Sequence, residues 1–198
     1  IRIRFKQQYA DRPDLKYILG SKYPYINIQY TTAIPHGGIL DPDYGIIRVS
    51  IEDRMPLGMA GTLAYQAVFG KFLYDNQSSF MDIFHFNGNK TIFSEFNTER
   101  FDLLDYYSNS TNDQFIAGYV EHAFGGLLLN KIPLIRKLKL NEVAGVRMLQ
   151  LPNKTLYTEY SFGLEKLGLF RADFVLALDG AGNSKTGFVF GIKRSLIR

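Results

Sequence analysis

The fold turns on the stretch Phe170-Arg171-Ala172-Asp173-Phe174-Val175-Leu176-Ala177-Leu178-Asp179. In an extended chain successive side chains point to opposite faces. Phe170, Ala172, Phe174, Leu176 and Leu178 therefore share one face, and Arg171, Asp173, Val175, Ala177 and Asp179 the other. Period two is the signature of a strand. This strand sets an aromatic and aliphatic face against a face that carries full charges of both signs.

The pattern repeats outward in both directions. Toward the C-terminus, Phe188, Phe190 and Ile192 oppose Gly187, Gly191, Lys193 and Ser195. Toward the N-terminus, Tyr160, Phe162 and Leu164 oppose Glu159, Ser161 and Gly163, and Ala144, Val146 and Met148 oppose Gly145 and Arg147. Earlier in the chain, Ile47, Val49 and Ile51 oppose Arg48, Ser50, Glu52 and Arg54. Residues 26–31 and 1–6 alternate cleanly, and about 58–71 and 112–126 alternate less decisively. This makes about nine strands. A soluble antiparallel sandwich also alternates, but several of these stretches run nine to twelve residues, against about five or six for ordinary strands. A tilted membrane strand needs about 9–11. The expectation is an all-β, antiparallel transmembrane β-barrel.

Composition agrees with that class and excludes others. Hydrophobic residues make up 46% and charged residues 21%, and a barrel that alternates its faces keeps such a neutral average. The wholly apolar runs are too short for a transmembrane helix. Cys is absent, which removes disulfides, thiolate metal sites and Cys nucleophiles. The net charge is +4, but Lys and Arg are scattered rather than clustered, so no nucleic-acid partner is expected. His36, His85 and His122 stand in no metal-ligand spacing, and no Gly-rich phosphate loop or nucleophile motif occurs. Glu121 and His122 are adjacent on a strand and point to opposite faces. No catalytic residue, metal or cofactor is expected, and the chain reads as a non-enzyme.

With the last strand ending in the periplasm, the connections near 10–22, 53–58, 128–140 and 165–169 fall on that side. Those near 33–43, 72–111, 151–155 and 180–184 fall outside. The longest, 72–111, is then extracellular, where long loops belong. It carries many aromatics around Phe84, His85, Phe86, Asn87, Gly88 and Asn89, and exposed apolar area on that scale calls for a fold-back or a partner. Either the loop plugs the lumen, pairing with charges such as Arg48, Arg147 and Arg171, or it lies over the rim or against a partner. Residues 128–139 set apolar residues at helical spacing beside four cations. They read either as a short interfacial helix drawn to lipid headgroups or as a long turn with a solvated basic face.

The stretches LKYILGSKYP (15–24), HFNGNKTIF (85–93), YVEHAFGGLLLNKIPLIRKLKLNEVAG (119–145) and FGLEKLGLFRADFV (162–175) resemble the C-terminal barrel of an uncharacterised Bacteroidota outer-membrane family. In that family a carboxypeptidase-regulatory-like domain precedes the barrel. The resemblance covers nearly the whole chain, implies no peptidase activity and carries over no catalytic residue. A more distant likeness, of layout alone, is to the sixteen-stranded outer-membrane assembly and two-partner-secretion barrels, where a long loop precedes the last five strands.

Residues 1–198 are thus expected to form the C-terminal part of one larger barrel, possibly sixteen-stranded, in the cell outer membrane. Ile1 already reads as the interior of a strand, so earlier strands and any upstream domain are expected before it. Arg48, Glu52, Arg54, Arg147, Glu159, Arg171, Asp173 and Lys193 would face the lumen. Ile47, Val49, Ile51, Phe170, Phe174, Leu176, Phe188, Phe190 and Ile192 would face lipid. The expected role is a scaffold or a component of an outer-membrane assembly or export complex, with other barrels or surface lipoproteins as partners. The alternative is a channel for a small solute.

Overall fold

The computed structural model describes residues 1–12, 15–21, 23–38, 41–96, 99–127 and 129–193. Within them the chain is all-β, with no α-helix. The strands are β1 (Arg2–Ile3), β2 (Gln7–Arg12), β3 (Leu15–Ser21), β4 (Tyr25–Thr32), β5 (Asp43–Pro56), β6 (Thr62–Gln77), β7 (Phe93–Phe96), β8 (Gln114–Ala123), β9 (Leu140–Gln150), β10 (Tyr157–Lys166), β11 (Phe170–Asp179) and β12 (Ser184–Lys193). Three short 3-10 segments, Gly58–Ala60, Leu129–Lys131 and Ile135–Leu138, complete the elements.

Ten strands form one sheet in the order β1-β4-β5-β6-β8-β9-β10-β11-β12-β7, and β2 and β3 form a separate hairpin. From β4 to β12 the sheet is an antiparallel meander interrupted only by the β6–β8 connection. β7 comes out of that connection and pairs in parallel with β12. Among the described residues the sheet is open, since no pairing joins β1 to β7. Its central strands are long: 14 residues in β5, 16 in β6, 11 in β9 and 10 in each of β8, β10, β11 and β12.

The tight β10–β11 connection shows how local chemistry sets register. Leu167 and Gly168 both have positive φ (58° and 68°), and the Leu169 N–H donates to the Lys166 carbonyl at 3.1 Å. Two left-handed central residues match the twist of the flanking strands, and ten residue pairs follow in unbroken register.

The nine alternating stretches read from the sequence all enter the sheet, but several bounds shift. The first is reduced to β1, because only Arg2 and Ile3 pair with β4. The segment near 10–22, expected as a connection, instead forms much of the β2–β3 hairpin. The long loop starts later than residue 72. β6 continues to Gln77 because Phe72 to Gln77 pair with the start of β5, across two irregularities. Ser195 lies outside the described residues.

Register divides the sheet into two faces. One row runs Glu52, Gln66, Tyr119, Arg147, Glu159, Ala177, Lys185 across six strand pairings. The β6–β8 connection, residues 78–113, packs over this face. On the opposite face a row runs Ala144, Phe162, Phe174, Phe188. The burial is the reverse of a soluble sheet. Arg147, Glu159, Ser161, Glu165, Arg171 and Asp173 are buried, while Phe162, Phe170, Phe174, Phe188 and Ile192 are exposed. Phe162 is 53% exposed although it sits mid-strand in the middle of the sheet.

Candidate functional site

The buried chemistry lies in the seam between the covered face and the loop. The apolar part of the seam joins Phe101 and Leu104 of the loop to Val68, Phe115, Ala117, Tyr119 and Leu149 of the sheet. Phe101 is fully buried, with its ring 5.3 Å from Tyr119 and 5.8 Å from Tyr157. Phe84 and Phe86 meet Phe115 edge-on at 4.7 and 4.8 Å, an arrangement that aromatic quadrupoles favour. A second cluster sets Phe96 and Leu103 against Val175 and Val189.

Charged groups fix the loop over this core. The fully buried Glu159 accepts the backbone N–H groups of Asp102 and Leu103 at 2.6 and 2.9 Å, and the Tyr157 hydroxyl at 2.7 Å. One carboxylate thus satisfies two loop N–H groups that would otherwise be buried without partners. Asp102 in turn lies 2.8 Å from Arg147 Nη1, and Arg147 also donates to Ser161 Oγ at 3.2 Å. Burial raises the Asp102 carboxyl above the usual carboxylate range, and the Arg147 guanidinium pulls it back. Charge pairing is what makes such depth tolerable for either residue.

Arg171 is held mainly within the sheet. Its Nε and Nη2 donate to Asp173 at 2.6–2.9 Å and its Nη1 to Glu121 at 2.6 Å. The Phe96 ring of the loop covers its guanidinium at 4.8 Å. Gly163 makes room for this pair, since a Cβ there would overlap the Asp173 carboxylate.

Backbone pairing inside the loop completes the seam. Phe101 donates to the Asn87 carbonyl at 2.8 Å and Asn89 to the Leu104 carbonyl at 2.9 Å. Gly88 lies so close to the Leu104 carbonyl that a side chain there would collide with it. At the loop's far side Lys185 Nζ reaches the Leu103 carbonyl at 3.1 Å, and Lys154 Nζ the Ser108 carbonyl at 2.7 Å.

Register puts Arg48, Glu52, Arg54, Arg147, Glu159, Arg171 and Asp173 on the covered face, with the Lys193 position in the same alternation. The Lys193 side chain lies outside the described residues. Ile47, Val49, Ile51, Phe170, Phe174, Leu176, Phe188, Phe190 and Ile192 share the other face. Arg48 meets the loop at Glu99 (3.7 Å) and Arg147 at Asp102, whereas Arg171 finds its acids on the sheet and an aromatic ring on the loop. Within the aromatic segment, Phe84, Phe86 and Asn89 are covered, but Phe80, Met81, Ile92 and Phe93 remain exposed. His85 is tied to Ser110 and to the Phe80 carbonyl, both at 2.7 Å, within the loop itself.

Sequence reasoning missed the residues that hold the loop most firmly. Phe101 and Asp102 stand outside the 84–89 segment. The available signal was Arg100-Phe101-Asp102-Leu103-Leu104, an acid set among large apolar residues inside a polar loop. No group of three or more metal-ligating side chains occurs among the described residues. The arrangement anchors a loop, and its carboxylates are engaged in doing so.

These features define an all-β protein of long antiparallel strands, with ionic groups buried under a loop on one face and apolar side chains bare on the other. Residues 1–164 match the C-terminal domain of DUF5686, a family of unknown function, and the chain belongs to that family. No curated protein and no solved structure matches it.

Proposed function

We propose that this domain is part of the wall of an outer-membrane β-barrel whose lumen is filled by the 78–113 loop. On this reading it serves as a scaffold or assembly component and not as an enzyme. The observation that carries the proposal is the inverted burial of the two faces. Water would penalise a sheet that exposes Phe162, Phe174 and Phe188 and buries Arg147, Glu159 and Arg171. Hydrocarbon on the bare face and a polar, loop-filled interior on the other would stabilise the same arrangement. Strand lengths of 10 and 11 residues in β8 to β12 suit a tilted span. An open sheet edge is not tolerated in lipid, so the proposal includes further strands that close the wall. The likeness in layout to assembly and secretion barrels supports the role, and a loop tied down by buried ion pairs favours it over a passive conduit.

The test is a charge on the bare face. Phe174→Arg should cost about 2–4 kcal/mol when the chain folds into vesicles, as a cation does near the bilayer midplane. In a water-exposed sheet the same change stays within about 0.5 kcal/mol. Folding into vesicles that is indifferent to this substitution overturns the membrane reading. Stepwise conductance of the intact protein in planar bilayers replaces the scaffold reading with the channel.

A further inference from the structure

We infer that residues 124–127 and 129–139 form an interfacial collar that binds the acidic headgroups of a phospholipid surface. The inference rests on the membrane reading above and specifies lipid chemistry that the reading leaves open.

The placement of the segment comes first. Glu142 shares the bare face with Leu164, its partner in the β9–β10 register. Leu164 is exposed, yet Glu142 is only 1% exposed. What covers it is this segment: the backbone N–H of Leu129 donates to the Glu142 carboxylate, and that of Phe124 to the Glu142 carbonyl at 2.8 Å. His122, also on this face, packs its ring on Phe124 with centroids 4.2 Å apart. The chain between β8 and β9 therefore folds back on the outside of the wall, at the level where the strands end. A solvated turn beyond the sheet would leave Glu142 bare.

The outward chemistry comes second. Lys131, Arg136, Lys137 and Lys139 are all exposed, and among the described residues no salt bridge joins any of them to a carboxylate. Residues 124–139 contain no Asp or Glu. Leu134 projects between these cations at 80% exposure. Cations around an exposed apolar residue suit a boundary where hydrocarbon meets negative headgroups. The neighbouring turns present Met59 and Leu167 at the same end of the sheet. The long connection that leaves the opposite end of the strands differs: residues 78–113 hold six acids and two bases.

The chain has no Trp, so Leu134→Trp provides a single reporter in the otherwise intact protein. Folded into phosphatidylcholine vesicles doped with phosphatidylglycerol, this Trp should emit further to the blue than in phosphatidylcholine alone. It should also be quenched more by lipids brominated near the headgroup. Added salt, or Lys131→Gln, Arg136→Gln, Lys137→Gln and Lys139→Gln together, should erase the difference. Emission that is the same in both vesicles, or a difference that survives the four Gln changes, overturns the inference. Phe174→Trp separates the two proposals. Apolar emission at 174 with a composition-blind Trp at 134 defeats only the collar, whereas water-like emission at 174 in both vesicles defeats the membrane reading and the collar with it.

Discussion

Arg147 and Arg48 stand on the same face of the same sheet, and both reach a carboxylate on the same loop. Arg147 lies 2.8 Å from Asp102 with both side chains almost fully buried, and Arg48 lies 3.7 Å from Glu99 with both about two-fifths exposed. The difference follows from where the loop rests. It covers β6 and β8 to β12 closely and leaves the β4–β5 side of the face half open, where Arg2 and Glu52 also pair in partial exposure. Ion pairs of the same chemistry thus become structural on one side of the sheet and marginal on the other, because desolvation multiplies both the attraction and the cost of losing a partner.

The largest effect should come from leaving one charge alone in the closed half. Arg147→Met strands Asp102 and should cost about 3–5 kcal/mol in urea unfolding. Trypsin should then cut after Arg100 much faster. Adding Asp102→Leu should recover most of the loss, since an apolar pair of similar volume often replaces a buried ion pair without penalty. A double variant as unstable as the single one would show that the network beyond the pair carries the stability. Phe101→Ala removes the ring at the centre of the same seam and belongs in the same range, about 3–5 kcal/mol.

Glu159→Gln is a milder break in the closed half. Gln retains one acceptor oxygen but brings an N–H₂ group toward the loop amides, so about 1–3 kcal/mol is expected. The loss should be local to the loop, with amide exchange rising at Asp102 and Leu103 before it rises in β10. Equal exchange across the loop and the strand would mean that Glu159 supports the sheet rather than the loop.

The same contrast explains how much was legible in the sequence. The bare face of β11 could be read directly, because Phe170, Phe174 and Leu178 recur at period two, and register carries that face through Phe162 and Phe188. The partners of the covered face could not. Arg147 and Glu159 announce a polar face, but which loop atoms meet them depends on how residues 78–113 fold across six strands. The deepest contacts come from Phe101 and Asp102, twelve and thirteen residues past Asn89, where the segment that drew attention ends. β7 was equally hidden, since Phe93-Ser94-Glu95-Phe96 is too short to show a period and pairs only because β12 offers an edge. The β2–β3 hairpin lacked a clean alternation and read as a connection.

In the open half, Arg48→Met should cost less than about 1 kcal/mol and its effect should vanish at high salt, as for other exposed pairs. A loss comparable to that of Arg147→Met would mean that the loop closes over β5 as well, and the contrast between the halves would fail.

The smallest effect concerns the loop's outermost turn. Asp82 accepts the hydroxyl and backbone N–H of Ser79 at 2.6 and 2.9 Å, and the Tyr44 hydroxyl at 3.0 Å. The Ser79 hydroxyl and N–H hold its carboxyl below the ordinary value of 3.8, against a small opposing effect of burial. A depressed folded value means that the unfolded chain binds the proton more readily. The turn's contribution is therefore complete above 3.8 and is lost as the pH falls through the lower folded value. Amide exchange at Ser79, corrected for its intrinsic acid dependence, should accelerate across that window, while exchange at Phe101 stays unchanged. Asp82→Asn should remove the acid dependence at Ser79. If Phe101 loosens over the same window, the outer turn and the buried seam open together, and the loop is one cooperative unit instead of a firm base with a weak tip.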